Sequence, residues 1–405
     1  MYTEYHDKGT EKREHQDRLA RLQKLMDRDG VDLFVVTQNV DQYYLSGTMQ
    51  TGYIVVPRIG NPIYYVKRSV TRAEAESTIT VKPLGSFRDF GKTVQDDFSA
   101  LFANETPLTA VTEYDVLPVQ VFERLRNVMP TMTWKDGSTM FRELRMIKSP
   151  FEVSRIRMAA AVVHRVLEQA AEYVQEGMME LELIAHIEHL FRMKGHAGIM
   201  RMRGYNQEII TGMVAAGDAA AEPTYFDGPA GGRGLSPASP QGASRRVIGA
   251  NEPLLVDIGC CIDGYVIDQT RTLVIGELQS DLQAAYDATE AIIRATEEKL
   301  KPGTVCEELY TDSLAMAAQY GLSDHFMGYG EDQVKFLGHG IGIEIDEWPV
   351  LARGFKQQLE PGMVIAIEPK FTFPGRGVVG IENTYLITET GFVKLTTAPE
   401  GVIHC

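Results

Sequence analysis

The stretch Val256–Gly276, VDIGCCIDGYVIDQTRTLVIG, reads as two apolar strands joined by a turn, with Asp257 and Asp268 set among residues of a buried sheet. A carboxylate in such a place is costly unless something compensates it. Folding the strands about Ile262-Asp263 puts Asp257 opposite Asp268, and folding them about Asp263-Gly264 makes the two diagonal neighbours. In either register both side chains share one face, because side chains alternate along a strand. Like charges that close need a proton or a cation between them. Asp263 belongs to the turn itself and reads as a surface or capping residue.

Working outward, more ionisable groups stand where they should be rare. Glu368 interrupts the apolar run GMVIAIEPKF (362–371), and Glu382 interrupts VVGIENTYLI (378–387). His339 lies between glycines in KFLGHGIGIEI (335–345). Four carboxylates and one imidazole, each in an apolar strand, point to one compensating centre. Oxygen-rich ligation with a single His suits Mn, Fe, Co or Zn. Four carboxylates neutralise two divalent ions, which is how two-metal hydrolytic centres are built.

The rest of the chain divides at a helix start. Ser149 reads as an N-cap, with Pro150 at the first helical position and Glu152 three residues after the cap. Before it, an amphipathic helix is expected over 12–29, with Leu19, Leu22, Leu25 and Met26 on one stripe. Strands follow at 31–38, 52–57 and 62–67, with a turn at Gly60-Asn61-Pro62 and a Thr71-capped helix over 71–77. Residues 1–145 are one α/β domain on this reading, and 146–405 are a second. In the second, a helix is expected over 179–194, and a Gly/Pro/Ser-rich loop of functional length over 226–246. Two helices separated by 301–304 come next, then strands over 333–343, 363–373 and 378–389. Simple inspection finds no internal repeat.

Composition narrows the function classes. The 405 residues are 44% hydrophobic and 23% charged, with a formal net charge of −15. That balance argues against a nucleic-acid partner or an anionic membrane surface. No apolar run approaches the ~18 residues needed to span a bilayer. The polar opening MYTEYHDKGTEKREHQDRLARL lacks a secretory apolar segment. A cytoplasmic protein is expected. The four cysteines form no CxxC pair, so buried apolar thiols in a reducing compartment are expected.

The acids and the His occur in a specific pattern: two Asp eleven positions apart, the GHGIG His, a Glu before Pro, and the Glu of GIEN. In this pattern the chain resembles the pita-bread metallopeptidase superfamily, which includes methionine aminopeptidase, aminopeptidase P, prolidase and creatinase. The resemblance covers nearly the whole chain. It implies an α+β protein, with a creatinase/prolidase-type N-terminal α/β domain followed by a pita-bread catalytic domain. It implies a dinuclear metal-dependent hydrolase acting on short Xaa-Pro peptides as an aminopeptidase or dipeptidase. The metals would be two divalent ions of Mn, Co, Zn or Fe. Asp257 would bind one ion and His339 the other, and Asp268 and Glu382 would bridge them. Glu368 would bind metal and shuttle a proton, making Glu368 and His339 the catalytic pair. The resemblance also implies a homodimer, since in dimeric relatives the partner's N-terminal domain covers the cleft.

The chain also departs from the peptidase pattern. Asp346 stands seven residues after His339 where a second His is usual, Gln241 stands in SPQG where the pattern is PHG, and Gly380 replaces an Arg of aminopeptidase P. The missing His residues ordinarily hold substrate oxygens. Asp346 is an acceptor when ionised, so it would favour a cationic or N–H-bearing group, or else pair with Arg353 or Arg376. The alternative function is therefore action on a small non-peptide amide or zwitterion, as in the ectoine hydrolase and dimethylsulfoniopropionate lyase members. Gln241, Asp346 and Trp348 are the candidate substrate contacts, with core packing equally open for Trp348. His186 and His189 read as ordinary helix residues. The run GPAGGRG (228–234) reads as a substrate-side loop, since it lacks the Lys-Ser/Thr of a phosphate cradle. Tyr43 and Tyr44 read as core residues or as residues reaching a neighbouring subunit's site.

Overall fold

The helix Pro150–Tyr173 starts at a reciprocal cap. The Ser149 hydroxyl accepts from the Glu152 amide at 3.2 Å, and the Ser149 amide donates to the Glu152 carboxylate at 3.0 Å. Its buried residues Ile156, Ala160, Val163, Leu167 and Ala170 recur at three- and four-residue spacing. They form one apolar face, packed on the strands Leu254–Ile262 and Tyr265–Val274. The computed structural model describes residues 8–103 and 107–405. They fall into two compact units: residues up to 145 with Arg203–Asn206, and Met146–Met202 with Gln207–Cys405.

The first unit is a six-stranded mixed sheet flanked by helices. Its strand order is Thr80–Pro83, Ile63–Val66, Gly52–Pro57, Leu33–Val36, Thr109–Thr112, Thr133–Asp136. The inner strand Leu33–Val36 is buried at every position, which is why it reads as a continuous apolar run. The first helix is Lys8–Arg28. Its buried stripe runs through His15, Arg18, Leu22 and Met26, whereas Leu19 and Leu25 are half-buried. The helix Val70–Glu76 is preceded by Ser69 in the left-handed region, so Thr71 lies inside it and does not cap it. Arg203 pairs with Asp41 at 2.8 Å and with Asp115 at 2.7 Å, which ties its short segment to this unit.

The second unit carries the Val256–Gly276 hairpin. Ile262 pairs with Tyr265, so the turn is Asp263-Gly264, and Asp257 faces Thr270 while Gly259 faces Asp268. Asp263 at φ 50 and Gly264 at φ 87 are both left-handed, as a two-residue hairpin turn of this kind requires. The four-stranded sheet runs Ile403–His404, Tyr265–Val274, Leu254–Ile262, Gly212–Ala216. A five-stranded sheet runs Glu347–Ala352, Phe336–Gly340, Val364–Ile367, Asn383–Ile387, Phe392–Lys394.

The two long strands expected over 363–373 and 378–389 are each broken at their acid. Val364–Ile367 and Asn383–Ile387 stay in the five-stranded sheet, while Lys370–Phe373 and Gly377–Gly380 form a separate two-stranded sheet. The breaks fall at Glu368-Pro369 and Ile381-Glu382, where Pro369 has no amide to give to a ladder. Both glutamates therefore leave their sheets at one place. The helices Glu180–Met193, Ser280–Glu297 and Cys306–Gln319 complete the unit. The thiols of Cys260, Cys261 and Cys306 are buried and unpaired, as apolar side chains would be. Among the described residues, no helix is long and apolar enough to cross a membrane.

Candidate metal centre

Four pieces of chain converge on one open cavity in the second unit. The hairpin contributes Asp257 and Asp268, the strand Phe336–Gly340 contributes His339, and the two strand breaks contribute Glu368 and Glu382. Gln241 and Asp346 line the same cavity, and the loop from Phe226 to Gly231 forms a wall. All five ligand candidates named from the sequence are thus brought together.

One nitrogen of His339 and one carboxylate oxygen each from Asp268 and Glu382 lie within 4.8 Å of one another. Glu382 accepts from the Thr270 hydroxyl at 2.7 Å through one oxygen. Its other oxygen is buried with no hydrogen-bond partner. An orphaned carboxylate oxygen is expensive unless a cation takes it. Carboxylate oxygens with one imidazole are the donor set of a divalent transition ion, so these residues fit such an ion. His339 is held from behind: its Nδ1 lies 3.0 Å from an Asp346 oxygen and 3.0 Å from the Gly340 carbonyl. That leaves Nε2, 3.6 Å from a Glu368 oxygen, facing the cluster.

The ionisation of these groups reports a site short of positive charge. Burial, with Glu382, Asp257 and Glu368 alongside, pushes the Asp268 carboxyl well above the usual range. Burial pushes Glu382 up to about 7 against the pull of Lys370. It raises Glu368 too, against Lys370 and His339. Burial alone would lower His339, but Asp346, Glu368 and Glu382 outweigh it and bring the imidazole to about 9.

Asp346 makes a contact that the sequence did not suggest. Its partner is His339, and Arg376 pairs with Asp281 at 2.6 Å. A carboxylate behind a ligating imidazole fixes its tautomer and raises its basicity. Asp346→Asn is expected to weaken metal affinity about 10–100-fold, the usual loss for such a partner. Equilibrium dialysis measures it, and an unchanged affinity would remove this role.

The other candidates lie elsewhere. Trp348 is not among the cavity residues and packs against the core of the five-stranded sheet. His186 stacks on Tyr173 with ring centroids 3.8 Å apart, on the surface of its helix. Arg233 of the Gly-rich run pairs with Glu222 at 2.6 Å and Asp218 at 2.9 Å. Tyr44 is fully buried in its own unit, with the Arg18 guanidinium 4.0 Å over its ring.

Three residues that sequence reasoning passed over touch the cluster. Thr270 holds Glu382 as described. Arg271, fully buried, donates to the carbonyls of Thr270, Glu382, Ala398 and Pro399 and to the Asn383 side chain. It fixes the backbone of Glu382. Lys370 places its ammonium among the acids, and its signal was a cation inside the apolar run IEPKF.

Comparison with known proteins agrees with this architecture. Residues 154–389 match metallopeptidase family M24, and residues 18–147 match the creatinase/prolidase N-terminal domain. The Xaa-Pro dipeptidase of Pyrococcus furiosus is 29% identical over 94% of this chain and 97% of its own. The crystal structure of the prolidase from Pyrococcus horikoshii OT3 superposes with a TM-score of 0.79 at 26% identity, covering 96% of this chain and 100% of that one. A Bacillus anthracis Xaa-Pro dipeptidase, 22% identical over 96% of this chain and 100% of its own, shares the fold with a TM-score of 0.81. The chain is a member of metallopeptidase family M24, a family of dinuclear metal-dependent hydrolases, and carries that family's creatinase/prolidase-type N-terminal domain.

Proposed function

We propose that the protein hydrolyses short Xaa-Pro peptides, as a dipeptidase or aminopeptidase, at the Asp257–Asp268–His339–Glu368–Glu382 centre. The observation that carries the reading is the convergence of four acids and one His on a single cavity in a chain whose M24 relatives match end to end. Bound divalent metal supplies a Lewis acid that polarises the scissile carbonyl and makes water nucleophilic at neutral pH. The protein's residues do the rest. Glu368, on the cavity wall, takes the proton of the attacking water and delivers it to the leaving amine. Asp346 holds the His339 ring so that Nε2 faces the cluster. Thr270 and the Arg271 network keep Glu382 pointed inward. Gln241 offers an amide donor to a substrate oxygen from the cavity wall.

The same reading takes the enzyme to be a cytoplasmic homodimer with Mn, Co, Zn or Fe. The test is a panel of Xaa-Pro dipeptides and longer Xaa-Pro peptides, run on Mn(II)-loaded protein beside small amides and betaines, with light scattering on the same sample. Cleavage of the Xaa-Pro bond, lost on chelation, by a species of twice the chain mass is expected. Turnover confined to the non-peptide substrates would replace this reading with the zwitterion one, and a fully active monomer would remove the dimer.

A further inference from the structure

The most unusual feature of the cluster is a cation that the protein itself supplies. Lys370 is wholly buried, and its ammonium nitrogen lies 2.6 Å from a Glu368 oxygen, 3.2 Å from an Asp257 oxygen and 3.6 Å from a Glu382 oxygen. It thus faces three of the four acids. Asp268 and His339 are grouped with Glu382, and His339 Nε2 also lies 3.6 Å from a Glu368 oxygen.

The facing strand leaves room for a long side chain at this position. Lys370 pairs across the two-stranded sheet with Gly380. A Cβ at Gly380 would stand 2.5 Å from Lys370 Cγ and 2.9 Å from its Cβ, so only glycine leaves room for the lysine stem. Gly380 is also one of the positions at which the sequence departs from aminopeptidase P. An ammonium and a divalent ion also compete for the same oxygens of Asp257 and Glu368.

We propose that Lys370 holds one of the two cation positions of the centre: a first divalent ion binds tightly between Asp268, His339 and Glu382, and a second enters only by displacing the ammonium from Asp257 and Glu368. The inference rests on the metal-centre reading above. The two ions are therefore unequal. The second binds about 10²–10³-fold more weakly than the first, the factor that breaking a buried ion pair implies. The protein works as a one-metal centre wherever free metal is scarce, with Lys370 supplying the remaining charge and keeping the acids together.

The test is calorimetric titration of metal-stripped full-length protein with Mn(II), with elemental analysis after dialysis. Wild type is expected to show one tight ion and a second weaker by that factor. Failure to take up the second ion at millimolar Mn(II) is the same result in its extreme form. Lys370→Met keeps an apolar stem and removes the charge, so its second ion should tighten by a similar factor. Two ions bound to wild type with affinities within about threefold would overturn the proposal, whether or not the variant folds. A folded Lys370→Met, checked by circular dichroism, with an unchanged second affinity would overturn it as well. Failure of both proteins to bind any Mn(II) would sink this proposal together with the metal centre. Equal affinities in wild type would leave the peptidase reading standing.

Discussion

Glu368→Gln is expected to lower kcat by ~10²–10⁴-fold, the usual worth of a general base, with KM and metal content little changed. The substitution keeps an oxygen where a ligand is wanted and removes only the ability to take a proton. Glu368 suits the role by position and by environment. It sits at the break between two sheets, with its amide bonded to the Leu337 carbonyl at 3.0 Å, so its backbone is fixed. Its carboxyl lines the cavity and is otherwise buried. Lys370 keeps Asp257 and Glu382 as partners when Glu368 loses its charge, so the cluster should not come apart. Steady-state kinetics on an Xaa-Pro dipeptide, with metal analysis of the same preparation, separates the outcomes. Full turnover with metal bound would show that another group carries the proton.

The site was legible in the sequence because it breaks a simple rule. Asp257, His339, Glu368 and Glu382 each interrupt an apolar run, and a buried acid demands a partner whatever the fold. The hairpin was legible down to two registers. The Asp263-Gly264 dipeptide, a strong signal for a turn with both residues left-handed, is the feature that selects between them. What escaped depends on contacts that no local pattern encodes. The break of each long strand at its glutamate follows from two sheets meeting there, although Pro369 was a local sign of it. Asp346 reaches His339 only because the segment after Gly340 turns back into the strand Glu347–Ala352. Arg203 belongs with the first unit through Asp41 and Asp115, far away in sequence. Lys370 left a sign in the run IEPKF, but the alternation of its own strand masked it, because one side chain in two normally faces water.

Asp268→Ala is expected to abolish the stabilisation that metal confers while leaving the metal-free protein as stable as wild type, or more so. In the absence of metal, Asp268 is a burden. Burial and the neighbouring Glu382, Asp257 and Glu368 hold its carboxyl well above the usual range, so at neutral pH its charge is opposed by the fold. The sign follows directly: a carboxyl with a raised folded-state pKa loses stability as pH rises from the unfolded value toward the folded one. Removing it takes that loss away. The hydrogen bond that its carboxylate accepts from the Gln269 amide, at 3.0 Å, is local and partly exposed. With metal the balance should reverse, because Asp268 would share the ion with His339 and Glu382. A ligand at 100 times its Kd stabilises by about 2.7 kcal/mol, which is worth ~5–10 °C in a domain of this size. Wild type should show that rise on adding Mn(II), and Asp268→Ala should show none and should have lost turnover. Asp263→Asn is the control: the residue lies in the same hairpin, but its side chain pairs with Arg155 at 3.0 Å, and the full rise should remain. An Asp268→Ala protein that melts higher with Mn(II), by as much as wild type, would place the ion somewhere other than this cluster.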